Sequence, residues 1–304
     1  MLPSRLKFLI FFILLPVLSL SQSKKLEKFL TSSDTLNKVR RNSIIISEAT
    51  ISIATLVGLN QLWYADFERS KFHTINDNQE WLQMDKLGHT FAAYQFGKHS
   101  AQLLNWSGVS KRNQLLYGAT LGFTFLSAVE VLDGYSSEWG FSWGDILANG
   151  AGTGLYIGQE LLWKEQRILL KYSFHTTKYA KQRPDKLGHS FLEQTLKDYN
   201  GQTYWLSANL HSFFKNSNSP KWLNIAIGYS GEGMLSGVKN IANQQLTTNS
   251  RYRQYYLSLD LNLEAIKTNS KLLKTLFNLF NMIKIPLPTL EFSKNRCVFH
   301  PFYN

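Results

Sequence analysis

The chain has one cysteine, Cys297, so no intramolecular disulfide can form. Packing rather than covalent staples must hold the fold. Other signatures are missing too: there is no His-Glu-x-x-His spacing, no glycine-rich phosphate loop and no nucleophile elbow. Their absence removes the commonest zinc-protease, nucleotide-binding and hydrolase patterns. No cofactor is expected, and neither is a histidine-rich metal site, because His89 and His99 fall on different faces of one helix. Acids are scarce: 21 Asp and Glu stand against 33 Lys and Arg, for a net charge of +12.

What is present begins with an export signal. Arg5 and Lys7 precede the apolar run Phe8–Leu18, and Ser19-Leu20-Ser21 offers small residues for a cut before Gln22. The run is shorter than the ~20 residues of a comfortable membrane span. No cysteine stands near the cut, so a lipid anchor by that route is not expected. Removing residues 1–21 takes away Arg5 and Lys7 and lowers the net charge from +12 to +10. In an exported protein such a charge points to membrane lipid or another envelope component, not to nucleic acid, or serves solubility alone. The eight Trp and fourteen Tyr suit positions with one wet and one apolar end.

Hydropathy patterning predicts an α+β chain. An N-terminal bundle of about four helices, which could lie against a membrane, precedes a C-terminal antiparallel β-rich domain. The divisions are 1–21 signal, 22–83 arm and apolar helix, 84–172 helical domain, 173–202 linker and 203–304 β-rich domain. The apolar stretch Ile44–Trp63 carries Glu48, Asn60 and several hydroxyls and is a poor autonomous span. Helices are expected over about 85–104, 111–132 and 142–163. Gly150, Gly154 and Gly158 share one face of the last, a spacing that permits close helix approach. Period-two alternation marks strands at Thr203–His211, Trp222–Tyr229, Tyr255–Leu263 and Leu290–Phe299, about four in all. Lys271–Lys284 reads as a short helix ended by Pro286 and Pro288. Asp-Lys-Leu-Gly-His occurs at 85–89 and again at 185–189. The flanks do not align, so chance similarity is preferred to duplication.

The chemistry concentrates between Asp85 and Gly152, where charges interrupt apolar helical sequence. Asp85 and His89 are four apart and share a helix face. Asp85 either orients His89 or serves as an N-cap. Glu130 and Asp133 form a carboxylate pair that could bind a cation or divide acid and base roles. Asp133, by Gly134, could equally face solvent; Glu130 is surrounded by apolar residues. Ser142-x-x-Asp145 fits a capping box, and Asn149 lies one turn further on, within reach of Asp145. An unpaired ionised Glu130 would cost several kcal/mol. Helices 85–104, 111–132 and 142–163 should therefore pack so that His89, Glu130 and Asp145 share one pocket, with Lys86 or His89 beside Glu130 and Asp133. The catalytic candidates are His89, Glu130 and Asp145, and the metal candidates Glu130 and Asp133.

Three motifs in order, Asp85-Lys86-x-x-His89, Glu130-x-x-Asp133 and Ser142-x-x-Asp145-x-x-x-Asn149-x-x-Gly152, resemble the YfiM-like family of predicted periplasmic lipoproteins. More distantly they are similar to the VanZ-like membrane proteins. The likeness covers residues 84–163, in which Asp85, Lys86, Ser142, Asn149 and Gly152 carry the structural motif. The later part, including Leu196–Ser207 and Trp222–Asn224, looks like the long form found in Bacteroidetes-type bacteria. The resemblance implies an exported location, in the periplasm or an envelope membrane, and a helical core, but no reaction. A non-enzymatic membrane-associated structural or binding module is expected. The alternative is an envelope enzyme acting on a lipid or cell-wall substrate, with His89 as acid/base. Oligomeric state is left open.

Overall fold

The computed structural model describes residues 24–61, 67–216, 218–238 and 251–303. The expected signal cut near Ser21 lies outside them. The chain is α+β, with its long helices N-terminal and a six-stranded antiparallel sheet C-terminal.

Helix α1 (Lys24–Leu30) and the start of α2 (Lys38–Leu59) are fastened to the C-terminal end of α3 (Met84–Trp106). The Arg40 guanidinium lies 4.2 Å above the Trp106 ring, and Asn37 N–H donates to Ser107 O at 2.8 Å. Beyond that anchor α2 stands largely free. Ile44 is its one buried residue, while Ile46, Ile51, Ile53 and Val57 are exposed.

The helical core is α3, α4 (Leu121–Asp133) and α5 (Trp143–Leu162). The helix expected over 111–132 is not continuous: a π-helical turn, Gln114–Gly118, precedes α4. Glycines let the helices approach closely, but not those of the expected face. A Cβ on Gly152 would fall 2.0 Å from Thr90 O of α3, and one on Gly122 would fall 2.3 Å from Ala93 O. Among the described residues, a Cβ on Gly154 or Gly158 would have nothing within 4 Å, and one on Gly150 would meet only a Phe123 ring carbon at 3.9 Å. The Gly150–Gly158 stripe is therefore not the contact. The helices meet one register away, where the polar face of α5 turns inward.

The sheet is a simple meander: β3 (Ile168–Phe174), β4 (Gln202–Asn209), β5 (Leu223–Glu232), β6 (Tyr252–Leu261), β7 (Leu287–Ser293) and β8 (Arg296–Tyr303). It is wider than the four strands expected. Leu290–Phe299 is two strands, because Lys294 and Asn295 both take left-handed φ (47° and 58°) and close a two-residue hairpin. One strand, β3, lies before residue 203. Three short helices, Tyr179–Gln182, Pro184–Leu187 and Phe191–Lys197, fill the gap between β3 and β4. The second Asp-Lys-Leu-Gly-His ends one of them at Gly188, whereas the first opens α3. Helix α6 (Lys271–Phe280) precedes β7, and the turn after it pairs with the free edge of β3, Lys284 N–H donating to Tyr172 O at 2.8 Å.

The sheet buries its polar face. Lys171 and Asp260 pair at 2.8 Å, Ser207 Oγ donates to Asp260 at 2.6 Å, and Asn224 and Asn209 extend the network. Tyr303 of β8 meets Thr203 of β4 at 3.1 Å and packs on Tyr256, so the sheet curls around this interior. Apolar residues stand outside. Leu206, Ile227, Leu257, Leu290 and Phe299 form a row across five strands. Beside it runs an aromatic row, Tyr204, Tyr229, Tyr255 and Phe292. Helix α3 covers only the β3–β4 margin, through Phe91 against Tyr172 and Tyr204. Ile227 remains 62% exposed.

Candidate functional site

Two short structures bring the charged residues of the helical part together. The first is the entry to α3. Trp81, Leu82 and Gln83 all have positive φ (45°, 52° and 65°), conformations that cost ~1–3 kcal/mol each in side-chain-bearing residues. The sheet region holds them there: Trp81 N–H donates to Gly237 O at 2.9 Å, and Tyr229 hydroxyl donates to Leu82 O at 2.6 Å. The second is a two-residue parallel pairing of β1 (Thr74–Ile75) with β2 (Phe141–Ser142), which fixes Ser142 at the start of α5.

Ser142 caps α5, its Oγ accepting from Asp145 N–H at 3.2 Å. The reciprocal half of a capping box would have Asp145 accept from Ser142 N–H. Here Glu130 Oε2 takes that proton donor at 3.1 Å, and Asp145 is released to the cluster. Asp145 Oδ2 instead accepts from Lys86 Nζ at 2.8 Å. Asp85 is not an N-cap: Gln83 holds that position and Asp85 sits in the first turn. Its carboxylate accepts from the Tyr199 hydroxyl at 2.7 Å and lies 3.3 Å from Lys86. Lys86 also pairs with Asp77 at 2.6 Å, and Ser142 Oγ donates to Asp77 at 2.6 Å.

His89 is central. Its Nδ1 donates to Asn149 Oδ1 at 3.0 Å, so Asn149 orients the imidazole rather than Asp85. Nε2 then faces Glu130 Oε1 at 3.5 Å, Asp145 Oδ1 at 3.8 Å and Asp85 Oδ1 at 3.9 Å. The structure thus brings His89, Glu130 and Asp145 to one place. Lys86 joins through Asp145 and Asp77. The charge of Asp133 helps to raise the Glu130 pKa.

The electrostatics follow from burial and an excess of acid. Burial pushes the Glu130 carboxyl up to about 8, with Asp145 and Asp133 adding repulsion. Burial and Asp85 push Asp145 up to about 7. Burial opposes a charge on His89, but Asp85, Asp145 and Glu130 outweigh it and hold the imidazole above its ordinary value. Asp85 resists burial through His89 and Lys86 and stays below the usual carboxylate range. Such a set can store or pass a proton, or gather a cation.

Two members escaped the sequence reading. Asp77 lies in the 22–83 segment of arm and apolar helix, where no motif marks it, and Tyr199 reaches Asp85 from 114 residues away. Tyr199 also stacks near Trp81, at 5.2 Å between ring centroids, in the wall of a cavity of about 910 Å³. Arg183, Lys186 and His189 of the second Asp-Lys-Leu-Gly-His region line the same cavity.

Comparison with curated proteins and with solved structures gives no match. Residues 75–158 match a family model described as a predicted periplasmic lipoprotein family, DUF2279. That segment holds Asp77, Asp85, Lys86, His89, Glu130, Asp145 and Asn149, and it ends before Tyr199. In this chain the one cysteine, Cys297, is exposed on β8. By this similarity the protein is an exported component of the periplasm or the cell-envelope membrane.

Proposed function

We propose that the chain is a membrane-associated binding module of the cell envelope, a long Bacteroidetes-type relative of the matched family with a distant VanZ-like kinship. Its sheet lies against lipid acyl chains. One observation supports this most: the sheet is polar inside and apolar outside, the alternation that strands use in contact with lipid. The apolar band is edged by an aromatic row at one end and by Trp222 at the other, where aromatic residues sit at the level of head groups. Arg253 beside Tyr229, and Lys221 beside Trp222, complement anionic head groups. From Trp222 to Tyr229 the band is shorter than the ~9–11 residues of a strand that crosses a bilayer. Contact with one leaflet is therefore the reading. The exposed side of α2 supplies a second apolar contact.

Flotation of the purified mature chain with phosphatidylglycerol–phosphatidylethanolamine vesicles tests it. The native chain is expected to float, and Ile227→Gln with Leu257→Gln to lose most of that binding while keeping its circular dichroism. A native chain that stays in the bottom fraction, or that forms a dimer insensitive to vesicles and broken by the same substitutions, overturns the proposal.

The cavity walled by Tyr199 favours a second reading, an envelope enzyme for a lipid or cell-wall substrate with His89 as acid/base. Glu130→Gln keeps shape and one acceptor. It would abolish such an activity, measured as turnover of envelope lipid or peptidoglycan extracts, and would leave vesicle binding intact.

A further inference from the structure

The cluster around His89 is short of positive charge. Four carboxylates, those of Asp77, Asp85, Glu130 and Asp145, surround one ammonium, Lys86, and one imidazole. Burying unpaired carboxylates costs several kcal/mol. Asp145 Oδ1 is buried and has no hydrogen-bond partner among the described residues.

The arrangement of oxygens is selective. One oxygen of each inner acid is anchored on the protein: Glu130 Oε2 by Ser142 N–H, Asp145 Oδ2 by Lys86, Asp85 Oδ2 by Lys86. The other oxygen of each lies near His89 Nε2, Glu130 Oε1 at 3.5 Å, Asp145 Oδ1 at 3.8 Å and Asp85 Oδ1 at 3.9 Å, and Asp85 Oδ1 also accepts from the Tyr199 hydroxyl at 2.7 Å. The separations from Nε2 are too long for hydrogen bonds. They are close to the ~3.3–3.6 Å between neighbouring ligands of a tetrahedral cation with bonds of ~2.0–2.2 Å. The ligand atoms of Asp85, His89 and Asp145 all lie within 4.8 Å of one another. Asn149 holds Nδ1 and leaves Nε2 directed inward, the outer-shell support that metal-bound histidines use.

We propose that Asp85, His89 and Asp145 bind one divalent transition-metal cation through His89 Nε2 and one oxygen of each of the two acids, with Glu130 Oε1 beside Nε2 at 3.5 Å. Imidazole together with carboxylates favours Zn²⁺ or Mn²⁺ over Ca²⁺, which takes oxygen ligands. Lys86 stays outside the ligand set and steadies the outer oxygens. The site differs from the Glu130–Asp133 pair that the sequence suggested. Its occupancy does not depend on whether the sheet touches lipid.

The test uses the mature chain in detergent, stripped with a chelator and titrated calorimetrically with Zn²⁺, Mn²⁺ and Ca²⁺. One equivalent of Zn²⁺ or Mn²⁺ is expected, bound more tightly than Ca²⁺. His89→Gln and Asp145→Asn should each weaken it by about tenfold or more, as loss of a ligand demands. His189→Gln in the neighbouring cavity should not. Co²⁺ added to the native chain should give visible absorption of a low-coordinate site, a readout that needs no variant to fold. Absence of saturable binding by the native chain, absence of the Co²⁺ bands, binding that survives His89→Gln, or loss of binding on His189→Gln overturns the proposal.

Discussion

Two buried charge clusters in this chain have opposite balances. In the sheet, Lys171 and Lys284 flank a single carboxylate, Asp260, at 2.8 and 3.9 Å. In the helical part, four carboxylates flank Lys86 and His89. The sheet cluster is sealed, with all three side chains at 0% exposure, and Ser207, Asn224 and Asn209 extend it across three strands. The helical cluster is open, Asp85 and His89 keeping 27% and 16% of their side-chain surface. A sealed group of charges can only tie strands to one another. An open group with unmet charge can receive a ligand. Burial alone therefore does not separate structural from functional charge; exposure and charge balance together do.

The largest effect should come from breaking the sealed cluster. Asp260→Ala leaves Lys171 and Lys284 buried without their carboxylate. It is expected to cost ~3–5 kcal/mol in denaturant unfolding, enough to unfold many domains of ordinary stability. A loss below ~1 kcal/mol would mean that water or rearranged lysines meet the charge, and the two clusters would no longer differ in kind. Next in size is Gly152→Ala, where the added Cβ would fall 2.0 Å from Thr90 O. Forcing α5 away from α3 should cost ~1–3 kcal/mol, read as a lower unfolding midpoint. The same substitution should move Asn149 away from His89, and the His89 imidazole chemical shift would register it.

The helical cluster was legible in the sequence and the sealed one was not. His89, Glu130 and Asp145 stand out because each interrupts an apolar helical run, and buried charges must find each other. Asp77 and Tyr199 carry no such mark; their contribution comes from chain segments 65 and 114 residues away from their partners. In the strands, alternation sorts residues into two faces but does not say which one points inward. Leu257, Leu259 and Tyr255 form an apolar face that ordinary water-soluble packing would bury. In the structure it is Ser258, Asp260 and Tyr256 that are buried, because the interior is built on Asp260 and its partners. Strand β3, Ile-Leu-Leu-Lys-Tyr-Ser-Phe, lacks clean alternation and so carries no period-two signal.

A third test separates the clusters by pH. Glu130 and Asp145 have folded pKa values of about 8 and about 7, above their ordinary 4.5 and 3.8. An acid raised on folding stabilises most below its unfolded pKa, and that contribution fades as pH climbs through the folded value. His89, also raised, has the same sign. The helical cluster should thus lose stability from about pH 4 to about pH 8. Lys284 is depressed by burial from 10.5 to about 8, so its contribution is present above 10.5 and lost as pH falls to about 8. Melting temperature against pH should flatten below pH 8 in Glu130→Gln and flatten above pH 8 in Lys284→Met. Identical profiles in the two variants would remove the distinction.

The smallest expected effect is at Gly154, on the same helix as Gly152 and half a turn away. A Cβ there meets nothing within 4 Å among the described residues. With no clash, only backbone entropy and helix propensity act, and both favour alanine in a helix interior. Gly154→Ala should raise stability by ~0.5–1 kcal/mol and leave the His89 environment unchanged. If it instead destabilises as Gly152→Ala does, then the Gly150–Gly154–Gly158 stripe is a packing face after all, filled by a partner or by lipid. Vesicle flotation of the variant distinguishes the two: weaker binding would locate this stripe at the membrane, whereas unchanged binding with lost stability would point to another protein surface.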